Sequence, residues 1–327
     1  MPRDYAYSGV FAELLSTYVA GKRAAGYSFD NPAYWLSRFD RYCREQGIEQ
    51  AILTKELFTA WSAKQSTETK VTQNNRIHAL TGFSRWLNSL GKTSYVPSTV
   101  PIPEKTLPYL MEDADIQAFF EMVDRNPGRS SYPPFQRMSV EYKILFRLIY
   151  CCGLRNSEAC GLRFEHADFN KGVLTITNAK GNKDRKVFLA EDLRLLCLRY
   201  QTWLFQLIPP GTIWVFPGKN PASHIPKTSI DRKFNDFWKM TERAVLCDKK
   251  PTVHALRHAF VMKRMNLWME ADTDFRIMLP YLSTYLGHEA PIETFYYYHQ
   301  TTDVFRTIRR KDKTSAVVIP EADDEHN

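Results

Sequence analysis

Four short segments after residue 150 carry side chains that chemistry could use. In Gly153-Leu154-Arg155-Asn156-Ser157-Glu158 an arginine follows an apolar run and an acid stands three residues later. In Thr252-Val253-His254-Ala255-Leu256-Arg257-His258 the spacing sets His254 and Arg257 on one helical face, where an imidazole and a guanidinium fork can address one anion. Lys180, Lys183, Arg185 and Lys186 crowd a predicted hairpin turn, a basic tip of the kind that reaches into the groove of a duplex. The fourth segment is Leu286-Gly287-His288, with Phe295-Tyr296-Tyr297-Tyr298-His299 following. Taken singly, each has an ordinary reading: a surface ion pair worth little, a solvated turn, a core cluster of aromatics.

These groups need elements to position them. The chain has 327 residues, with 44 Lys+Arg against 36 Asp+Glu, and is 44% hydrophobic, which excludes disordered, collagenous and coiled-coil classes. Four of the acids lie in the last seven residues, EADDEHN, so the rest of the chain is still more basic and suits a polyanionic partner. No apolar run is long enough to span a membrane, and MPRDYAYSGV lacks a signal-peptide core, so a cytoplasmic protein without a membrane partner is expected. The six cysteines form no C-x-x-C pair and read as reduced, mostly buried thiols.

Residues 1–92 read as a bundle of four helices: Val10 to Gly26, one opened by an Asn31-Pro32 cap and closed at Gly47, one capped by Thr54, and one from Lys70 to Gly91. Residues 93–108 hold Pro97, Pro101, Pro103 and Pro108 and read as a linker. A second domain, 109–300, is mostly helical, over 112–125, 139–152, 191–207, 229–245, 252–268 and 275–286, the helix at 252 capped by Thr252. GVLTIT at 172–177 and KVFL at 186–189 flank a Gly-Asn turn and predict a β-hairpin. The fold class is mainly α: a helical bundle plus a mixed α+β domain with a small sheet.

The ordered set Gly-Leu-Arg-x-x-Glu, Lys-Gly-x-Lys-x-Arg, His-x-Leu-Arg-His and Leu-Gly-His…Tyr-x-His resembles the catalytic signature of the tyrosine recombinases, the phage integrase family. The resemblance covers residues 110–300, and the N-terminal bundle is similar in architecture and position to that family's core-binding, SAM-like domain. One departure is Ala259, where the family more often has Ser or Thr; with His258 and Phe260 matching, it reads as a packing change.

The resemblance implies roles. Arg155 and Arg257 would clamp the non-bridging oxygens of a scissile phosphate, with His254 and His288 as further donors and His254 assisting proton transfer. Lys180 would protonate the leaving 5′ oxygen, with Lys183 its competitor, and Glu158 would support the Arg155 pocket. Tyr297, nine residues after His288, would be the nucleophile, and Lys183, Arg185 and Lys186 would contact DNA. A free tyrosine is only ~0.1% phenolate at neutral pH, so cations and a base are required for attack. A 3′-phosphotyrosine ester conserves the energy of the broken bond, so no cofactor is expected. With no carboxylate cluster for a two-metal site, neither is a catalytic metal.

The resemblance further implies a site-specific DNA recombinase whose two domains close around duplex DNA at a specific recombination site. Homo-tetramers on paired sites would pass through a Holliday junction, with accessory recombination proteins as partners and a nucleoid-associated location when bound. The tail, 301–327, would pack on a neighbouring protomer. Two rivals share parts of the pattern: a type IB topoisomerase, which would relax supercoils without pairing sites, and a non-catalytic architectural DNA binder, which would have no use for Tyr297.

Overall fold

The computed structural model describes residues 4–99, 108–125, 131–177, 184–208, 211–247, 249–288 and 294. The chain divides into two compact units, Met1–Thr106 and Leu107–Asn327.

The first unit contains α1 (Ala12–Ala24), α2 (Asp30–Glu45), α3 (Lys55–Ser62) and α4 (Lys70–Ser89). Their apolar stripes converge on Phe11, Leu15, Leu36, Phe39, Leu80 and Phe83, all fully buried. The Thr54 side chain caps α3 by accepting from the Leu57 N–H at 3.2 Å. α2 differs from expectation. It starts at Asp30 rather than behind an Asn31 cap, with Phe29 in the cap position at φ 50° and Asp30 placing negative charge in the first turn, where the helix dipole favours it. The expected linker also starts later than residue 93. The Asn88 side chain and Ser94 exchange two backbone hydrogen bonds, at 2.8 and 2.9 Å, and the Tyr95 N–H donates to the Leu53 carbonyl at 2.9 Å, so both residues belong to the bundle.

The second unit contains α5 (Asp113–Arg125), α6 (Pro133–Cys152), α7 (Asn156–Cys160), β1 (Ala167–Asp168), β2 (Val173–Ile176), β3 (Arg185–Phe188), α8 (Glu191–Leu207), α9 (Lys227–Lys239), α10 (Val253–Glu270) and α11 (Phe275–Leu286). The mainly-α class with a small sheet holds. The core is aromatic, with Phe119, Phe146, Phe234 and Phe237 packed across α5, α6 and α9. α6 begins at Pro133, earlier than expected, because proline at the first helical positions gives up no needed N–H. α9 stops at Lys239; Thr241 takes an extended backbone, its hydroxyl donates to the Trp238 carbonyl at 2.7 Å, and a 3₁₀ turn over Glu242–Leu246 replaces the rest of the expected helix. Thr252 stands at the start of α10, but its side chain makes no capping bond.

The sheet is antiparallel in the order β1-β2-β3, with Val173 opposite Phe188 and Ile176 opposite Arg185. β1, two residues long, carries too little pattern to be read from sequence. Strand alternation buries Leu174 and Ile176 on β2 and Arg185 and Val187 on β3, leaving Lys186 and Phe188 exposed. Among the described residues no helix is long and apolar enough to cross a membrane. All six cysteines are free thiols; Cys43, Cys152, Cys160 and Cys197 are buried, while Cys151 is exposed.

Candidate active site

Two helix C-termini build the site. α6 ends at Gly153, φ 63°, and a Cβ there would stand 2.6 Å from the Phe260 ring. The left-handed turn, open to glycine at no steric cost, sends the chain through buried Leu154 to Arg155 at the start of α7. α11 likewise ends at Gly287, φ 65°, where a Cβ would stand 3.0 Å from Arg185 Nη1. The N–H groups of Gly287 and His288 close that end on the carbonyls of Thr284 and Ser283, both at 3.0 Å.

That closure leaves three consecutive carbonyls at the end of α11, and each accepts from a different arginine. Arg185 Nε donates to the Tyr285 carbonyl at 2.7 Å, Arg257 Nη2 to that of Leu286 at 2.9 Å, and Arg155 Nη2 to that of Gly287 at 2.8 Å. Arg257 Nη1 also donates to the Gly153 carbonyl, at 2.7 Å. The orphaned carbonyls and negative dipole end of a helix are a natural seat for cations, which explains how three like charges sit together.

Glu158 is their counter-charge. Its Oε1 accepts from Arg155 Nη1 at 2.8 Å and Arg185 Nη1 at 2.9 Å; its Oε2 accepts from the Arg155 backbone N–H at 2.8 Å and Arg185 Nη2 at 2.7 Å. Burial alone would raise this carboxyl, but the Arg185 and Arg155 bonds overcome it and hold the group at about 2.

His254 and Arg257 lie on the first turns of α10, and the His254 and His258 rings meet edge to face at 4.4 Å. Burial, then the positive charges of Arg257 and Arg155, hold His288 down at about 4, and the same two causes lower His254, whose ring keeps an edge open to solvent. Burial and the neighbouring His254 and Arg257 bring His258 to about 3. These imidazoles are therefore neutral at pH 7.

The structure thus brings together Arg155, Glu158, His254, Arg257 and His288 from three separate stretches. Arg155 is the most open of the three arginines, with 21% of its side chain exposed against 1% for Arg257. Lys186 is exposed on β3. Arg185 corrects an expectation: grouped in sequence with Lys186 as a DNA-contacting residue, it points to the opposite face of the strand, with its nitrogens bonded inside the pocket. Lys180, Lys183 and Tyr297 lie outside the described residues.

Sequence reasoning missed two participants. For Arg185 the signal was available, since alternation with Val187 puts both on one face. For Thr294, fully buried and 2.6 Å from His288 Nδ1 through its hydroxyl, no local pattern announced a role. Among the described residues no group of three His, Cys, Asp or Glu side chains is placed to hold a metal.

The profile of the phage integrase family matches residues 111–303. A Sinorhizobium fredii protein called integrase/recombinase y4rB is 26% identical over 310 residues, spanning 92% of this chain and 96% of its own. Tyrosine recombinase XerD of Pseudomonas putida is 24% identical, over 81% of this chain and 83% of its own. Among solved structures, the XerH site-specific recombinase bound to palindromic difH substrate in a post-cleavage complex has the same fold, with a TM-score of 0.63 at 21% identity over 91% of this chain and 83% of that one. So has the Tn1549 transposon integrase in complex with transposon right end DNA, with a TM-score of 0.61 at 18% identity over 91% and 99% of the two chains. With more than half its length matched by the family profile, the chain belongs to the phage integrase family, the tyrosine recombinases.

Proposed function

We propose that this protein is a site-specific DNA recombinase that cleaves and rejoins duplex DNA through a 3′-phosphotyrosine at Tyr297. The observation that carries the reading is the convergence of Arg155 and Arg257 on the end of α11 beside His288, which stands nine residues before that tyrosine. Relatives of the same fold are bound to DNA substrates in their structures, which supports DNA as the partner.

In this reading the Tyr297 hydroxyl oxygen attacks the scissile phosphorus and the 5′ oxygen departs with a proton from Lys180. Arg155 and Arg257 donate to the non-bridging oxygens, which gain negative charge in the transition state. Pre-placed donors of this kind need no reorganisation as that charge develops. The neutral His254 can take the tyrosine proton, since a protonated imidazole could not. Attack of a 5′ hydroxyl from a second duplex on the phosphotyrosine reverses the chemistry and exchanges strands. Two such rounds on paired sites, carried out by four protomers, proceed through a Holliday junction.

The test uses a supercoiled plasmid carrying the DNA that flanks the gene. The wild-type chain should leave an SDS-resistant protein–DNA adduct linked to a 3′ phosphate, and paired sites should recombine. Relaxation by the enzyme with no joining of two sites would favour the topoisomerase reading. Salt-sensitive binding without an adduct would leave only a DNA binder.

A further inference from the structure

Arg185 is the pocket arginine to which the reading above gives no part. It is almost fully buried, and its Nε, Nη1 and Nη2 are all bonded within the protein. With both terminal nitrogens on one carboxylate, its charge is matched inside the pocket.

We propose that Arg185 is a positioning residue for the recombination reaction, neutralising Glu158 so that Arg155 keeps its charge and orientation for the scissile phosphate. The proposal rests on the recombinase reading of the same pocket.

The geometry supports it in three ways. First, the Glu158 carboxylate is shared. Arg185 forks onto both oxygens at 2.9 and 2.7 Å, while the Arg155 side chain reaches only Oε1, at 2.8 Å. With Arg185 gone, Arg155 would be the one guanidinium among the described residues still hydrogen-bonded to the carboxylate, the next being Arg257 Nη1 at 3.9 Å. A carboxylate–guanidinium pair prefers two parallel bonds, so Arg155 would swing toward Glu158 and its positive charge would be cancelled there.

Second, with one carboxylate oxygen contact left to it, Arg155 sends its other terminal nitrogen to the Gly287 carbonyl at 2.8 Å. This holds its partly open side chain against the helix end that precedes His288.

Third, Arg185 Nε ties β3 to the end of α11 through the Tyr285 carbonyl at 2.7 Å. Lys183 and Lys180 stand only two and five residues before Arg185 in sequence. One side chain therefore links the strand that follows these lysines in sequence to the helix end that seats Arg155 and Arg257. A lysine would keep the charge but not this three-way geometry.

The experiment follows covalent adduct formation in single turnover by the full chain. The probe is a nicked duplex carrying the cleavage site mapped on the flanking-DNA plasmid. Arg185→Gln should slow the adduct about 10- to 100-fold, the range seen when a supporting partner of a site residue is removed. DNA binding should stay within about twofold, and the slope of log K against log salt should not change, because no phosphate contact is lost. Arg185→Lys should recover part of the rate.

The double variant Arg185→Gln/Glu158→Gln should cleave faster than Arg185→Gln, since the uncompensated carboxylate is gone, and as fast as Glu158→Gln alone. A wild-type rate in Arg185→Gln would overturn the proposal, as would a salt slope reduced by about one. If Arg185→Gln melts below the assay temperature, the double variant, which leaves no unpaired carboxylate, and Glu158→Gln, whose arginines keep their carbonyl acceptors at the end of α11, carry the test. A double variant slower than Glu158→Gln would mean Arg185 acts elsewhere. Failure of the wild-type chain itself to form an adduct would sink the recombinase reading and this proposal together.

Discussion

Arg257 Nη2 donates to His288 Nε2 at 2.9 Å, and this single bond assigns the imidazole. Arginine has no acceptor, so Nε2 must carry the lone pair and Nδ1 the hydrogen, which it directs at the Thr294 hydroxyl 2.6 Å away. His288 thus steadies the Arg257 fork. We expect ¹⁵N spectra of the imidazoles to report the Nδ1–H tautomer for His288, unchanged as pH falls from 7 to about 5. An Nε2–H signal at neutral pH would contradict the assignment.

Among Tyr296, Tyr297 and Tyr298, the nine-residue spacing from His288 selects Tyr297 as the nucleophile. Tyr297→Phe should bind the site and form no adduct, whereas Tyr296→Phe and Tyr298→Phe should form it. Mass spectrometry of the phosphotyrosyl peptide decides among the three.

Arg257→Lys should lower the rate of adduct formation by about 100-fold or more. One ammonium cannot hold the Gly153 and Leu286 carbonyls and face a phosphate with the planar fork of a guanidinium. Single-turnover kinetics at saturating enzyme read this directly, and a loss under about threefold would show that the pocket does not depend on the fork.

The two helix-ending glycines should not tolerate alanine. A left-handed backbone costs a side-chain residue about 1–2 kcal/mol. At Gly153 the added methyl also meets the Phe260 ring at 2.6 Å, adding an overpacking cost of ~1–3 kcal/mol. Urea unfolding should therefore rank Gly153→Ala below Gly287→Ala, and both below wild type. Gly287→Ala should in addition slow cleavage, because its methyl displaces Arg185.

Acid should weaken the fold in two windows. His258 and His288 are held at about 3 and about 4, whereas an unfolded histidine titrates near 6.5. The unfolded chain therefore binds more protons between these values, and stability present above about pH 6.5 declines as pH falls toward 4. Glu158, held at about 2, acts in the same sense from about pH 4.3 downward. Urea midpoints measured from pH 7 to pH 4 should fall steadily, and His258→Gln should flatten the curve. A flat wild-type profile would show these imidazoles to be ordinary.

Chelation gives a further check. On the proposed reading, in which Arg155 and Arg257 address the phosphate oxygens, adduct formation on the nicked duplex should persist in EDTA. Loss on chelation with recovery on adding Mg²⁺ would put a metal into the mechanism.

Much of this protein is local, and so was legible in the sequence. Apolar spacing along α1, α3, α4, α5, α8 and α11 reflects which face each helix buries, and that face is fixed by 3.6 residues per turn whatever the helix packs against. The motif residues Arg155, Glu158, His254, Arg257 and His288 could be named because the ordered set of short motifs resembles the family's catalytic signature. What tertiary structure alone decided is how the charges are shared. The arginine–carbonyl bonds at the end of α11 join residues 29, 100 and 132 apart in the chain, and no local pattern specifies such pairings. Arg185 shows the difference most plainly. Its sequence neighbours Asp184 and Lys186 are both exposed, yet strand alternation turns it inward and the pocket gives each of its nitrogens an acceptor. A side chain's charge is written in the sequence, but whether that charge meets solvent, a carboxylate or a helix end depends on which distant backbone the fold brings beside it.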